Sequence, residues 1–131
     1  MERLLDTKLL SSLTTPALLE QALCVCIEQG HLRRHAERIR NRLDQARARS
    51  VKLAMSAGCQ FVSEPAGLFG WVDTGTDTDA LSQRMLDEGY LLAPGSLFHA
   101  ERQPGTQMRI NFATTQDAAF WKVFERLRKG A

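Results

Sequence analysis

Apolar residues recur in two rhythms along this chain. Up to Gly58 they return every three or four positions, which is the period of a helix. Thr15-Pro16 reads as an N-cap followed by proline at the first helical position. Leu18, Leu19, Ala22, Leu23, Cys26 and Ile27 then give a broad apolar face, and Gly30 is the expected stop. A long helix is predicted from His31 to Ala57. In it Leu32, Ala36, Ile39, Leu43, Ala46, Ser50, Leu53 and Ala57 form one narrow stripe on a charged rod. Such a stripe needs a surface to cover it. Residues 1–13 are read as a flexible or linking segment.

Beyond Gly58 the period shortens. Cys59–Ser63 and Leu68–Asp73 read as strands joined by the turn Glu64-Pro65-Ala66-Gly67. Asp77 can cap a helix through Glu88, with Leu81, Met85 and Leu86 inward and Gly89 as its stop. Tyr90–Ala93 reads as a third strand, and Pro94-Gly95 as a turn into a loop reaching Gly105. Gln107–Phe112 alternates clearly, with Met108, Ile110 and Phe112 on one face and Gln107, Arg109 and Asn111 on the other. Thr114 and Asp117 suggest a capping box for a last helix whose apolar face is Phe120, Trp121, Phe124 and Leu127. The fold class expected is α+β in two layers, a small, mostly antiparallel sheet of about four strands covered by helices and preceded by a long helix.

Composition narrows the picture. At 131 residues, 44% hydrophobic and 24% charged, the chain fits one domain, residues 1–131, with one core. No apolar run is long enough to span a bilayer, and the first residues lack the pattern of a signal peptide. We therefore read the chain as cytoplasmic, with no membrane partner. Cys24, Cys26 and Cys59 have no framework spacing and are expected to be reduced and mostly buried. His31 and His35 lie one helical turn apart without a third ligand, so no metal site is assigned.

The net charge of +2 hides an uneven distribution: His31–Lys52 carries eight basic and two acidic side chains. Pairs such as Arg33–Glu37 and Arg40–Asp44 would make this a solvated face. It could also serve a partner protein or nucleic acid, although no aromatic residues are interleaved for base stacking. On pattern alone, Arg109 is an arginine pointing away from the apolar layer.

Four segments give Arg109 a chemical role. Arg109-Ile110-Asn111-Phe112-Ala113 follows Ala93-Pro94-Gly95-Ser96-Leu97-Phe98. Before both comes Pro65-Ala66-Gly67-Leu68-Phe69-Gly70-Trp71-Val72. Earliest is Gly30-His31-Leu32-Arg33-Arg34-His35 with Arg38-Ile39-Arg40. In this order, and over nearly the whole chain, they resemble the C-terminal small domain of fold-type I aminotransferases, which use pyridoxal 5'-phosphate (PLP). The wording is closest to the MocR group of GntR-type transcriptional regulators, in which a winged helix-turn-helix precedes an aminotransferase-like domain.

The resemblance implies that Arg109 holds the α-carboxylate of an amino-acid substrate or effector. A planar guanidinium suits that task because it donates two parallel hydrogen bonds. Ser96, Phe98 and Asn111 are the candidates for the active-site mouth, and His99 lies in the loop beyond them without a spacing argument for a role. The resemblance also implies what this chain lacks. The family's Schiff-base lysine, its acid for the pyridinium nitrogen and its phosphate cup belong to a large domain. Lys8, Lys52, Lys122 and Lys129 lack the Schiff-base context, and no glycine-rich phosphate loop is present. This chain alone is expected to bind no PLP and to carry no catalytic residue. Its parent is expected to be a homodimer that supplies the large domain and contacts DNA only through an N-terminal domain outside this sequence. The alternative is a self-sufficient interaction module built on the basic helix 31–57.

Overall fold

The structure is a computed structural model that describes residues 2–12 and 16–130. Its elements run α1 (Glu2–Ser12), α2 (Ala17–Glu28), α3 (His31–Ser56), β1 (Gln60–Phe61), β2 (Phe69–Asp73), α4 (Thr78–Asp87), β3 (Ala93–Pro94), a 3-10 helix (Gly95–Phe98), β4 (Gln107–Asn111) and α5 (Ala118–Lys129). The chain separates into two compact units, Met1–Arg40 and Asn41–Ala131.

The first unit is helical. The segment expected to be flexible or linking forms α1, whose Leu4, Leu5, Leu9 and Leu10 are all exposed. The Thr15 cap lies outside the described residues. Pro16 occupies the N-cap of α2 in extended conformation, without a side-chain cap. No residue of α2 is buried, so Leu18, Leu19, Leu23 and Ile27 stand as an exposed apolar face. This also corrects the expectation of mostly buried thiols: Cys24 is exposed, Cys26 is half-buried and only Cys59 is buried.

In the second unit the expected α+β architecture is present. The four strands are ordered β1-β2-β4-β3, and every pairing is antiparallel. Val72, Met108, Ile110 and Phe112 point to one face of the sheet. There they pack with Ala54 and Ala57 from the end of α3, Leu81 and Met85 of α4, and Phe120, Trp121 and Phe124 of α5. The predicted stripe is thus buried only towards its C-terminal end, at Ala46, Ser50 and Ala57, with Leu43 and Leu53 half-buried, while Leu32 and Ile39 are exposed. Leu86, expected inward, is also exposed.

Three local expectations change. The third strand is Ala93–Pro94 rather than Tyr90–Ala93, because pairing to β4 begins only at Ala93 and leaves Leu91 exposed. Gly95 then opens the 3-10 helix instead of a loop. It passes so close to β4 that a Cβ there would lie 2.6 Å from the carbonyl oxygen of Gln107. Asp77 caps α4 as expected, but α5 is capped by Asp117 alone, whose carboxylate accepts from the amide of Ala119 at 2.8 Å. The Thr114 hydroxyl donates backwards to the carbonyl of Asn111 instead of joining a capping box. On α3, Arg33 and Glu37 stand 4.0 Å apart, but Asp44 pairs with Arg47 at 2.7 Å rather than with Arg40.

β4 is held at both ends by partly or fully buried polar contacts. At its start, the Thr78 hydroxyl contacts the carbonyls of Gly105 and Gln107 at 2.9 and 3.0 Å, and the Thr74 hydroxyl donates to that of Thr106 at 2.9 Å. At its end, the Thr115 hydroxyl donates to the carbonyl of Asn111 at 2.8 Å, and the indole of Trp121 donates to the carbonyl of Thr115 at 2.8 Å. Neutral hydroxyl and indole donors meet these carbonyls without the desolvation cost of a charge. The strand that carries Arg109 is therefore fixed in both position and register.

Burial pushes the Cys59 thiol up from an ordinary 9.0 to about 11, with nearby Arg128 partly opposing and Asp73 adding to the rise. The folded chain keeps this proton where the unfolded chain loses it. The stability tied to Cys59 is thus complete below pH 9.0 and is lost as pH rises towards about 11. Denaturant midpoints should fall across that range, and the Cys59→Ala variant should fall less. Parallel curves for the two proteins would refute this linkage.

Candidate functional site

The outer face of the sheet gathers the polar and aromatic residues that alternation excludes from the core. On β4 these are Gln107, Arg109 and Asn111. Cross-strand register sets Trp71 beside Arg109 on one side and Ala93 on the other, while Phe69 opposes Asn111. Ala93 has too short a side chain to cover the guanidinium.

Two rings contact that guanidinium. Its central carbon lies 4.5 Å from the centroid of Phe69 and 4.6 Å from that of Phe98. Phe69 comes from β2 and Phe98 from the 3-10 helix, so two separate segments each bring a ring to the cation. Phe98 is backed by Trp71, edge to face at 5.4 Å. Trp71 is held in turn by its indole, which donates to the Gln107 side chain at 2.5 Å.

Among the described residues the Arg109 guanidinium makes no hydrogen bond or ion pair, and two acidic side chains on neighbouring segments are engaged elsewhere. Asp73, on the same sheet face, accepts from the amide of Gly75 at 2.8 Å, and Glu101 pairs with His99 at 3.0 Å. Arg109 is exposed, so water rather than a protein acceptor meets its donors. An exposed arginine that packs on aromatic rings and spends no donor on a protein acceptor can give two parallel hydrogen bonds to a planar anion.

Two cavities flank this arrangement. One, of about 260 Å³, is lined by Arg109 and Asn111 with Phe69, Tyr90, Leu91 and Ala93 among others. The other, of about 380 Å³, is lined by Trp71, Phe98, His99, Gln103 and Pro104 among others. No lysine and no carboxylate lines either. Lys129 is engaged with Glu125 at 2.6 Å, and Lys52 and Lys122 are exposed away from both cavities. These linings do not by themselves fit PLP, which needs a covalent amine, an acid for its ring nitrogen and a phosphate cradle.

The sequence-predicted mouth residues fall in different places. Phe98 is against Arg109. Asn111 lines the first cavity, and its side-chain oxygen accepts from the amide of Ala113 at 2.9 Å. Ser96 is buried, and its hydroxyl donates to Asp79 at 2.5 Å, tying the 3-10 helix to α4. Ser96 lines neither cavity, and His99 lines the second. Sequence reasoning misses Phe69 and Trp71 as site residues. The signal is there, because the alternation Phe69-Gly70-Trp71-Val72 puts both rings opposite the buried Val72. Among the described residues no cluster of three or more His, Cys, Asp or Glu could hold a metal ion. No helix among them is long and apolar enough to cross a membrane.

Comparison with known proteins gives this geometry a context. A family model described as aminotransferase class I and II matches residues 2–127. None of the curated proteins compared matches the chain. Among solved structures, kynurenine aminotransferase from Pyrococcus horikoshii is similar, with 22% identity and a TM-score of 0.68 over 95% of this chain. LysN, the α-aminoadipate aminotransferase of Thermus thermophilus, is similar at 21% identity and a TM-score of 0.71 over 98% of this chain. Valine-pyruvate aminotransferase AvtA from Salmonella typhimurium gives 18% identity and 0.70 over 96%. The chain spans only 32%, 35% and 36% of those three chains, respectively.

Proposed function

Because this chain belongs to the aminotransferase class I and II family, we propose that it is the small domain of a PLP-dependent, aminotransferase-like protein. In this reading Arg109 anchors the α-carboxylate of an amino-acid substrate or effector. The observation that carries it is the state of Arg109: a planar cation against two aromatic rings, exposed, with no protein acid to neutralise it among the described residues. Such a group gains most from a ligand carboxylate, since charge-assisted bidentate pairs are the stronger class of hydrogen bond.

PLP, where bound, supplies the electron sink for chemistry at the amino-acid Cα, and its binding groups come from a large domain beyond this chain. Two observations support that partner. The chain spans about a third of the solved aminotransferases it resembles, and α1 and α2 leave rows of leucines exposed. The task of this chain's own residues is to hold and orient the carboxylate, and that contact sets the direction of the Cα–H bond. From the motif that opens α3 we read the parent as a MocR-type regulator. In a regulator the same contact biases a conformational equilibrium. DNA contact and dimerisation then belong largely to other parts of that protein.

In the protein that carries both domains, Arg109→Ala should weaken amino-acid binding by at least about tenfold, the loss of one charge-assisted contact. PLP affinity should stay close to wild type, and Arg109→Lys should recover only part of the loss. Calorimetry with each ligand separates the two effects. Equal loss of both ligands, or loss of neither, would refute the assignment.

A further inference from the structure

Arg109 is unusual less for its charge than for what touches it. An arginine on an exposed strand face ordinarily samples many rotamers, and that freedom is lost when a ligand is bound. Here Phe69 approaches from the start of β2 and Phe98 from the 3-10 helix, each within 4.6 Å of the guanidinium carbon. The two rings come from segments far apart in sequence, and Phe98 is itself supported. The 3-10 helix is tied to α4 by Ser96 and Asp79, and Phe98 rests on Trp71, which Gln107 holds. Gln107 and Arg109 share one face of one strand. The chain of contacts therefore closes on itself, from Arg109 through Phe98, Trp71 and Gln107 back to β4.

We infer that Phe69 and Phe98 are positioning residues for Arg109: they clamp its guanidinium by its two faces and leave only its edge to an incoming carboxylate. This rests on the reading of Arg109 as a carboxylate anchor and adds the residues that pre-orient it. The rings act through arginine and need not touch the ligand. They contribute in two ways. Attraction between the cation and the ring faces holds the guanidinium in one plane. Covering those faces also limits water to the edge, so less reorganisation is needed when a carboxylate arrives. The clamp further explains why lysine should replace Arg109 poorly, since an ammonium group has no plane to hold.

The test is nuclear magnetic resonance on the whole 131-residue chain, following the arginine Nε–Hε signals. Acetate is the probe at constant ionic strength, and chloride is the control anion. In the wild type, ring currents should set the Arg109 signal apart from the other arginines, and acetate but not chloride should move it. Phe98→Leu and Phe69→Leu should each bring that signal back towards the others. Each should also weaken the acetate response about three- to tenfold, the range expected for a partly desolvated cation–π contact. Phe98→Tyr should restore both readouts.

Two failures are distinguishable. A wild-type Arg109 signal indifferent to acetate removes the anchor reading and this inference with it. An acetate response that Arg109→Ala abolishes but that the leucine variants leave unchanged overturns the clamp alone. The wild-type signal position needs no variant. If it coincides with the solvated arginines, the clamp is refuted whatever the variants do.

Discussion

The Phe124→Ala variant should lose about 3–5 kcal/mol of unfolding free energy, the usual cost of removing a buried phenylalanine ring. Phe124 is fully buried, so no part of its ring can be replaced by water without opening the core. It stands 5.2 Å from Trp121 in a T-shaped contact and stacks at 6.1 Å on Phe120. The lost ring thus takes aromatic contacts with it as well as apolar area. The hole left among rigid rings would close poorly, which places the cost towards the upper end of the range. Native domains hold only about 5–15 kcal/mol in total, so this one change could leave the second unit largely unfolded at 37 °C. Urea denaturation measures it directly. Leu91→Ala is the contrast: Leu91 is exposed, and its loss should fall within about 0.5 kcal/mol. Similar costs for the two variants would mean that the rings of α5 are not the centre of this core.

The Gly58→Ala variant should cost about 2–4 kcal/mol, from two separate causes. Gly58 ends α3 at φ +83°, a conformation in which a side chain costs about 1 kcal/mol. The rest comes from Arg128, whose guanidinium reaches across from α5. Nη1 donates to the carbonyl of Thr74 at 3.0 Å and to that of Gly58 at 3.2 Å. An added Cβ would collide with Nη2 of Arg128. The side chain is long enough to move away, but only by giving up both carbonyls. Neither contact is fully shielded, so their joint loss is set below the sum of two buried charged hydrogen bonds. A double-mutant cycle separates the causes. In an Arg128→Met background, Gly58→Ala should cost only the backbone share. An unchanged cost there would show that Arg128 has no part in it.

Some of this architecture can be read directly from the residues. The alternation from Gln107 to Phe112 fixes which side of β4 is buried, and hence that Arg109 faces outward. The spacing Phe120, Trp121, Phe124 gives the buried face of α5, because residues of such volume on one helical stripe have few places to go except the core. The features that fail share a cause. The extent of β3 depends on where a distant strand comes alongside, and no local pattern in Tyr90–Ala93 contains that. The stripe of α3 is regular throughout, yet only its last part is covered, because periodicity shows that a face is apolar and not what meets it. Thr114 and Asp117 look like cooperating caps, but the carbonyl of Asn111 offers the Thr114 hydroxyl a nearer partner.

The candidate site is legible to a different depth. Arg109 emerges as a site only through ordered motif resemblance. Its position on the strand is predictable, but its chemistry is not. Phe98 stands among the mouth residues expected from sequence, while Phe69 reads only as part of a strand. Their meeting at one guanidinium follows from the register of β2 on β4 and the approach of the 3-10 helix, both set by long-range pairing.

The strand order β1-β2-β4-β3 has a consequence for assembly. The strand that carries Arg109 is the last of the four in sequence, yet it lies inside the sheet, and β2 and β3 touch only through it. As the chain emerges from the ribosome, β1 and β2 can pair at once, but β2 and β3 have no shared partner until residues 107–111 arrive. The sheet is closed by the strand that carries Arg109, and contacts of such long sequence separation form late and slowly. A nascent chain stalled before Gln107 would lack Arg109 and also the piece that joins β3 to the rest of the sheet.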